Sequence, residues 1–250
     1  IQTDPSLTSK ILKMVNSAYY GLPNQVSSIP QAVALLGRQH LHHILMGSVL
    51  AGLFSDINNP YFSLREFWHH SIKTAIIARQ LAMQNAAVID HDAFFTAGLL
   101  HDIGQLVIAK VMPEAQLEIE NRIKLEGIDI IQAEMEILGF SHTDVGEGLI
   151  QQWGLPRMLI QCAARHHDAD HSGPFYIDTS IVYLANLLSR YAPPEDDGAA
   201  EAILNVIPNW QQTECTLEQI SVAMQLADEQ GQEVMESLGM LDMEIIDEQF

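Results

Sequence analysis

An all-α helical bundle is the fold class the sequence predicts, and three observations carry that expectation. Apolar residues recur at three- and four-residue spacing through nearly every segment, strand-like alternation is scarce, and helix start and stop signals punctuate the chain throughout. The 250 residues are 48% hydrophobic, enough for a sizeable core, which excludes disorder over most of the chain.

The elements follow in order. Asp4 caps a first helix with Pro5 at its first position, and Leu7, Ile11, Leu12, Met14 and Val15 supply its apolar face before it ends near Asn16 to Gly21. Pro30 begins a short helix carrying Val33, Leu35 and Leu36, which Gly37 stops; Leu41, Ile44, Leu45, Val49 and Leu53 predict another, and Ser55 to Pro60 a turn. Ser63 and Glu66 form a capping-box pair ahead of a helix through Trp68, Ile72, Ala75, Ile76 and Leu81. One helix is expected from about Asp92 to Val111, ending before Pro113. Asp129 to Leu138 forms the next, stopped by Gly139; Ser141 caps its successor, which ends at Trp153 and Gly154, and Pro156 opens one reaching His166. Asp178 or Thr179 starts a helix of Ile181, Val182, Leu184, Ala185 and Leu188, and Thr216 caps a last long helix toward Leu238.

Pro193-Pro194 and the acidic run Glu195 to Asp197 mark the expected boundary. They divide a body of residues 1–194, with an N-terminal helical layer at 1–55 and histidine-bearing helices at 56–194, from an acidic helical extension at 195–250. Charge divides the same way. The chain holds 12 Lys and Arg against 32 Asp and Glu, a net −20, but residues 1–190 carry 18 of those acids and all 12 bases, or −6. The remaining fourteen acids lie between Tyr191 and Phe250 with no basic residue, read as a solvated helical face. So few cations argue against a nucleic-acid partner, because neutralising phosphates takes a basic face.

No membrane is expected either. Apolar runs fall short of the ~20 residues a bilayer requires, and even Ile29 to Leu53 is interrupted by Arg38, Gln39, His40, His42 and His43. Two cysteines make no disulfide framework and no secretory signal is visible, so a cytoplasmic location is expected. The chain opens at Ile1, without Met and almost inside a helix, and further sequence is expected to precede it.

Histidine is the unusual count, eleven in all, and position sorts the set. His40, His42, His43, His91 and His171 read as surface residues, and His69 faces away from His70 on the same helix. Cys162 reads as an inert core thiol, Trp68 and Trp153 as packing anchors, and Met14, Met46, Met83, Met224 and Met235 as core fillers. The stretch Gly98-Leu99-Leu100-His101-Asp102-Ile103-Gly104 is different, since it sets an imidazole and a carboxylate in an otherwise apolar run. Burying that pair is costly unless a metal or strong hydrogen bonds compensate.

The sequence here resembles the HD superfamily of helical, metal-dependent phosphohydrolases, named for that His-Asp pair, and within it the HDOD branch, bacterial output domains of signalling proteins. The HDOD-like stretches are Asp4-Pro5-Ser6-Leu7, Lys10 to Ala18 with its Asn-Ser-Ala end, Ser28-Ile29-Pro30-Gln31-Ala32-Val33 and Leu36-Gly37. Further along come Phe67-Trp68-His69-His70-Ser71, the His-Asp block, His142-Thr143-Asp144-Val145-Gly146, Trp153-Gly154-Leu155-Pro156 and His166-His167. Similarity to the HD-GYP phosphodiesterases implies two divalent ions: one on His70, His101, Asp102 and, weakly, Asn186; the other on Asp102, as bridge, with His142, His166 and His167. In an active enzyme Asp102 would be the catalytic carboxylate, and two metals ~4 Å apart would clamp a phosphoryl displacement. Mixed His and carboxylate ligation suits iron, manganese or zinc, one ion or two.

Two departures matter. Asn186 stands where those phosphodiesterases carry an aspartate, and Gln105 where they carry a lysine. The favoured reading is a signalling module, non-catalytic or weakly catalytic, that works through protein partners and holds a divalent metal. The alternatives are a metal-dependent phosphohydrolase acting on nucleotides or cyclic dinucleotides, with a small phosphate ligand at the metal, and a metal-free helical scaffold.

Overall fold

A computed structural model describes residues 5–17, 19–57 and 59–240, and all regular structure in them is helical. The organising element is α3 (Leu64–Gln84), whose Trp68, Ile72, Ala75, Ile76, Ile77 and Leu81 are fully buried. A helix apolar on nearly every side must be surrounded. Around it pack α4 (Asp92–Leu100), α10 (Tyr176–Leu188) and α12 (Leu217–Leu238). Burying side chains of this size is worth roughly 1.5–3 kcal/mol each.

The chain begins with α1 (Pro5–Val15) on α2 (Ile29–Leu53), and Gly37, with φ of 82°, breaks α2 where the sequence predicts a stop. The expected Asp4 cap lies outside the described residues, as do Ala18, the side chains of His40 and His43, and residues 241–250. Asn16 brackets Val26 from both sides, its Oδ1 accepting from Val26 N at 2.7 Å and its Nδ2 donating to Val26 O at 2.8 Å. The Asn-Ser motif thereby staples the loop between α1 and α2.

The single helix expected over Asp92 to Val111 is two, α4 and α5 (Ile103–Val111), broken at His101 and Asp102. Asp102 takes φ −100° and ψ 11°, the bridge region, and its carbonyl accepts from Gln105 N at 2.8 Å. Hydropathy along this stretch is uniform, so periodicity alone hides the turn. The expectation that no segment reaches spanning length is also corrected: Asp92–Val111 is long and apolar enough, but it is core, 78% buried among other helices. The turn is gripped by two glycines. A Cβ on Gly98 would lie 2.5 Å from Ala75 Cα in α3, and one on Gly104 would collide with the His142 carbonyl of α8 (His142–Gln152).

Next come α6 (Pro113–Glu126) and α7 (Ile130–Leu138), packed on each other around Ile108, Ile119 and Ala133, a small core separate from the main one. No helix was expected over α6, which buries only Gln116 and Ile119; Pro113 at its start and left-handed Gly127 at its end define it instead. Ser63, Ser141 and Thr216 cap α3, α8 and α12 as predicted, the last two with complete capping boxes; of the box expected from Ser63 and Glu66, the structure shows the bond from Glu66 N to Ser63 Oγ alone. The helix expected from Asp178 or Thr179 starts earlier, at Tyr176, behind Phe175 at φ 65°. Met83, expected in the core, is 46% exposed because it lies in the last turn of α3, beyond the surrounding helices.

After α9 (Arg157–Arg165) and α10, α11 (Asp197–Leu204) leads to α12. The inward face of α12, with Ile220, Met224, Val234 and Leu238, belongs to the main core, and its exposed Asp228 pairs with buried Lys73 of α3 at 3.4 Å.

Candidate metal centre

Asp102 stands at the convergence of four elements. His70 comes from the second turn of α3, His101 from the α4–α5 turn, His142 from the first position of α8, and His166 and His167 from the end of α9. His101, His142 and His166 are fully buried and Asp102 is 3% exposed. Its two oxygens face different partners. Oδ1 lies 3.1 Å from His142 Nε2 and 3.0 Å from His166 Nε2, whereas Oδ2 lies 3.2 Å from His101 Nε2 and 3.5 Å from His70 Nε2.

The opposite ring nitrogens are spoken for by acceptors. His101 Nδ1 meets Gly98 O at 2.6 Å, His166 Nδ1 meets Ala163 O at 2.9 Å, and His142 Nδ1 meets Glu134 Oε2 at 2.8 Å. Ser189 Oγ donates its one proton to Asn186 O at 2.8 Å and therefore accepts from His70 Nδ1 at 2.9 Å. With Nδ1 protonated on each neutral ring, the Nε2 lone pairs all point inward. His70 Nε2 is then 3.2 Å from His101 Nε2, and His142 Nε2 is 3.4 Å from His166 Nε2. Positive charge, either protons on some of these rings or a metal ion, has to sit between these nitrogens and the carboxylate. The buried Nε2 of His167 has no hydrogen-bond partner among the described residues. These donors fit a divalent metal, with the far nitrogens oriented as ligating histidines usually are.

Without an ion, protons supply part of that charge. Burial alone would raise Asp102, but the charge of His101 and hydrogen bonds with His101, His142 and His166 hold it well below the usual carboxylate range. Burial dominates for His70, His166 and His167, lowering His166 to about 4 and His167 further still, so these rings are neutral and free to ligate at pH 7. His142 is the exception: burial is outweighed by its hydrogen bonds to Asp102 and Glu134, which raise it to about 9.

The ligand atoms fall into two groups sharing Asp102: Asp102, His142, His166 and His167 in one, and His70, His101 and Asp102 in the other. Asn186 is fully buried on α10, one turn before Ser189, with Oδ1 3.4 Å from an Arg190 amine and Nδ2 unpartnered. His69 is exposed and outside both groups. A cleft of about 2330 Å³ opens onto the cluster, bounded among others by His70, Asp102, Gln105, His167 and Arg190.

Two residues at the centre escape the sequence reading. Glu134, 1% exposed, accepts from both the ring and the backbone N–H of His142. Its trace in the sequence is a glutamate on the apolar face that Ile130, Ala133 and Ile137 define. Ser189, beside His70, carries no comparable signal.

Comparison with known proteins sets this geometry in context. An uncharacterized protein of Treponema pallidum is 28% identical over 204 residues, 78% of this chain, and the chain spans only 38% of that protein's length. Among solved structures, a presumed phosphohydrolase from Shewanella amazonensis superposes with a TM-score of 0.78 at 24% identity, covering 95% of this chain and 84% of that one. A presumed signal transduction protein from Marinobacter aquaeolei reaches 0.71 at 21% identity, over 96% of this chain and 53% of its own. The family model described as the HDOD domain matches residues 1–169, and the chain belongs to the HDOD family.

Proposed function

We propose that the chain is a cytoplasmic, metal-holding signalling module that acts through protein contacts and turns over phosphodiesters weakly or not at all. The observation that carries this reading is the inequality of the two ligand groups. One has three histidines and a carboxylate; the other has two histidines, the same shared carboxylate and the neutral Asn186 nearby. A neutral amide compensates no cation charge, and Gln105, on the cleft wall, offers no charge to a phosphate. The HDOD body is taken as residues 1–194 and the acidic extension as 195–250. Two buried free thiols, Cys162 and Cys215, suit a reducing compartment.

His142, His166, His167 and Asp102 would hold iron, manganese or zinc, with His70, His101 and weakly Asn186 available to a second ion. Such an ion supplies polarising charge and makes hydroxide accessible near neutral pH. The chain's own part is to keep His70, His166 and His167 neutral, fix the orientation of the rings and bury the carboxylate.

A second reading, a phosphohydrolase acting on a nucleotide or cyclic dinucleotide, draws support from the cleft. It reaches the cluster and is bordered by Arg65, Lys124 and Arg190, cations suited to a small phosphate ligand. Metal analysis of protein purified without chelator, paired with a phosphodiesterase assay in added manganese or iron, separates the two. Stoichiometric metal without turnover is the expected result. Turnover abolished by His101→Ala and Asp102→Ala would establish the enzyme instead, and well-folded protein free of metal would remove both readings.

A further inference from the structure

We propose that Glu134 is a positioning residue for the ligand His142, and that through it the α6–α7 hairpin is tied to metal occupancy. The proposal builds on the metal-holding reading above.

The hairpin packs on the bundle through a small cluster of its own. Ile119 and Ala133 meet Ile108 of α5 and Val145 of α8 there, apart from the core that holds α3, α4, α10 and α12. Its most prominent charged links are internal, from Arg122 of α6 to Glu126 and across to Glu136 of α7. Glu134 points the other way. One oxygen, Oε2, accepts from His142 N at 2.7 Å and from His142 Nδ1 at 2.8 Å. The first bond satisfies an N–H that α8 leaves without an intrahelical partner, and the second fixes which ring nitrogen faces Asp102.

Charge distinguishes this contact from its counterparts. His101 and His166 lean on backbone carbonyls and His70 on a hydroxyl, whereas His142 leans on a carboxylate. Together Asp102 and Glu134 bring two buried acidic groups to the group containing His142, enough to balance one divalent cation. The group containing His70 has only its share of Asp102, because Asn186 is neutral.

The hairpin is also a wall of the cleft that reaches the metal cluster, contributing Leu117, Ile123, Lys124 and Ile128. An ion at His142 therefore steadies that wall through Glu134. By thermodynamic reciprocity, whatever docks on the wall and shifts it changes the affinity for the ion.

The test compares wild type, Glu134→Ala and Glu134→Gln, each stripped by chelator and titrated with Zn²⁺, with amide hydrogen exchange followed across residues 113–138. In wild type, Zn²⁺ is expected to slow exchange in the hairpin. Glu134→Ala is expected to weaken Zn²⁺ binding about 10–100-fold and to abolish that metal-dependent slowing. Glu134→Gln still presents an amide oxygen to both N–H groups, so it should keep the slowing while losing part of the affinity. A merely structural role would loosen the hairpin equally with and without zinc, and that result overturns the proposal, as does wild-type Zn²⁺ affinity in Glu134→Ala. Should Glu134→Ala fail to fold, wild-type affinity in Glu134→Gln together with no zinc effect on the hairpin would overturn it. Wild type that binds no Zn²⁺ overturns the metal-holding reading and this inference together, whereas the variant results bear on Glu134 alone.

Discussion

Asp102 turns one oxygen toward His142 and His166 and the other toward His70 and His101, yet the surroundings of the two sides differ. On the first side His142 and His166 are fully buried, His167 is partly buried at the cleft, and a second carboxylate backs His142. On the second, His70 is partly open to the cleft and its support is Ser189, itself braced on α10. Two ligand groups can share a bridge and still be unequal when charge and supporting hydrogen bonds are unequally distributed. The side with the third histidine and the second carboxylate is expected to take an ion first.

Breaking the bridge should have the largest effect. Asp102→Ala removes the carboxylate common to both groups, and metal content measured after purification is expected to fall to background, a loss of about 100-fold in affinity or more. Gly104→Ala should come next, because a Cβ there collides with the His142 backbone. Thermal melting should report destabilisation of about 1–3 kcal/mol or more, with metal lost as a secondary effect. Asn186→Asp sharpens the comparison by returning a carboxylate to the open side; affinity for a second ion should rise about tenfold, moving stoichiometry toward two per chain in a metal titration. Ser189→Ala does the converse, weakening binding about tenfold on the His70 side and leaving the first ion in place. The smallest change is Thr216→Ala. It removes the α12 cap and should cost about 1 kcal/mol in denaturant unfolding without altering metal content.

How much of this was legible in the sequence follows from the kind of signal involved. Local chemistry reads well: Ser63, Ser141 and Thr216 cap their helices, Gly37 breaks α2, and Gly139 closes α7 in the left-handed region. His70, the His-Asp block and the later histidines were legible as a motif, and the fold brings the five histidines together around Asp102. What depends on tertiary context was not. The break at His101 and Asp102 lies in a uniformly apolar stretch, α6 has too narrow a buried face to announce itself, and Met83 lies on a helix that outruns its neighbours. Glu134 stands eight residues before His142, across a turn, and only the packing of α7 beside α8 turns a misplaced glutamate into a partner for a specific ring nitrogen.

Gly98 and Gly104 bracket the His-Asp pair, and each lies where another helix leaves no room for a methyl group. A mutational screen that scores only loss of bound metal would rank these glycines with the histidines and credit them with a chemical role. Recording melting temperature alongside metal content would divide these residues into two classes: the glycines fail by unfolding, whereas ligand variants should fail while still folded. A natural variant that has lost metal through a change at either glycine is accordingly a candidate for rescue by low temperature or by a stabilising substitution elsewhere, and one changed at Asp102 is not.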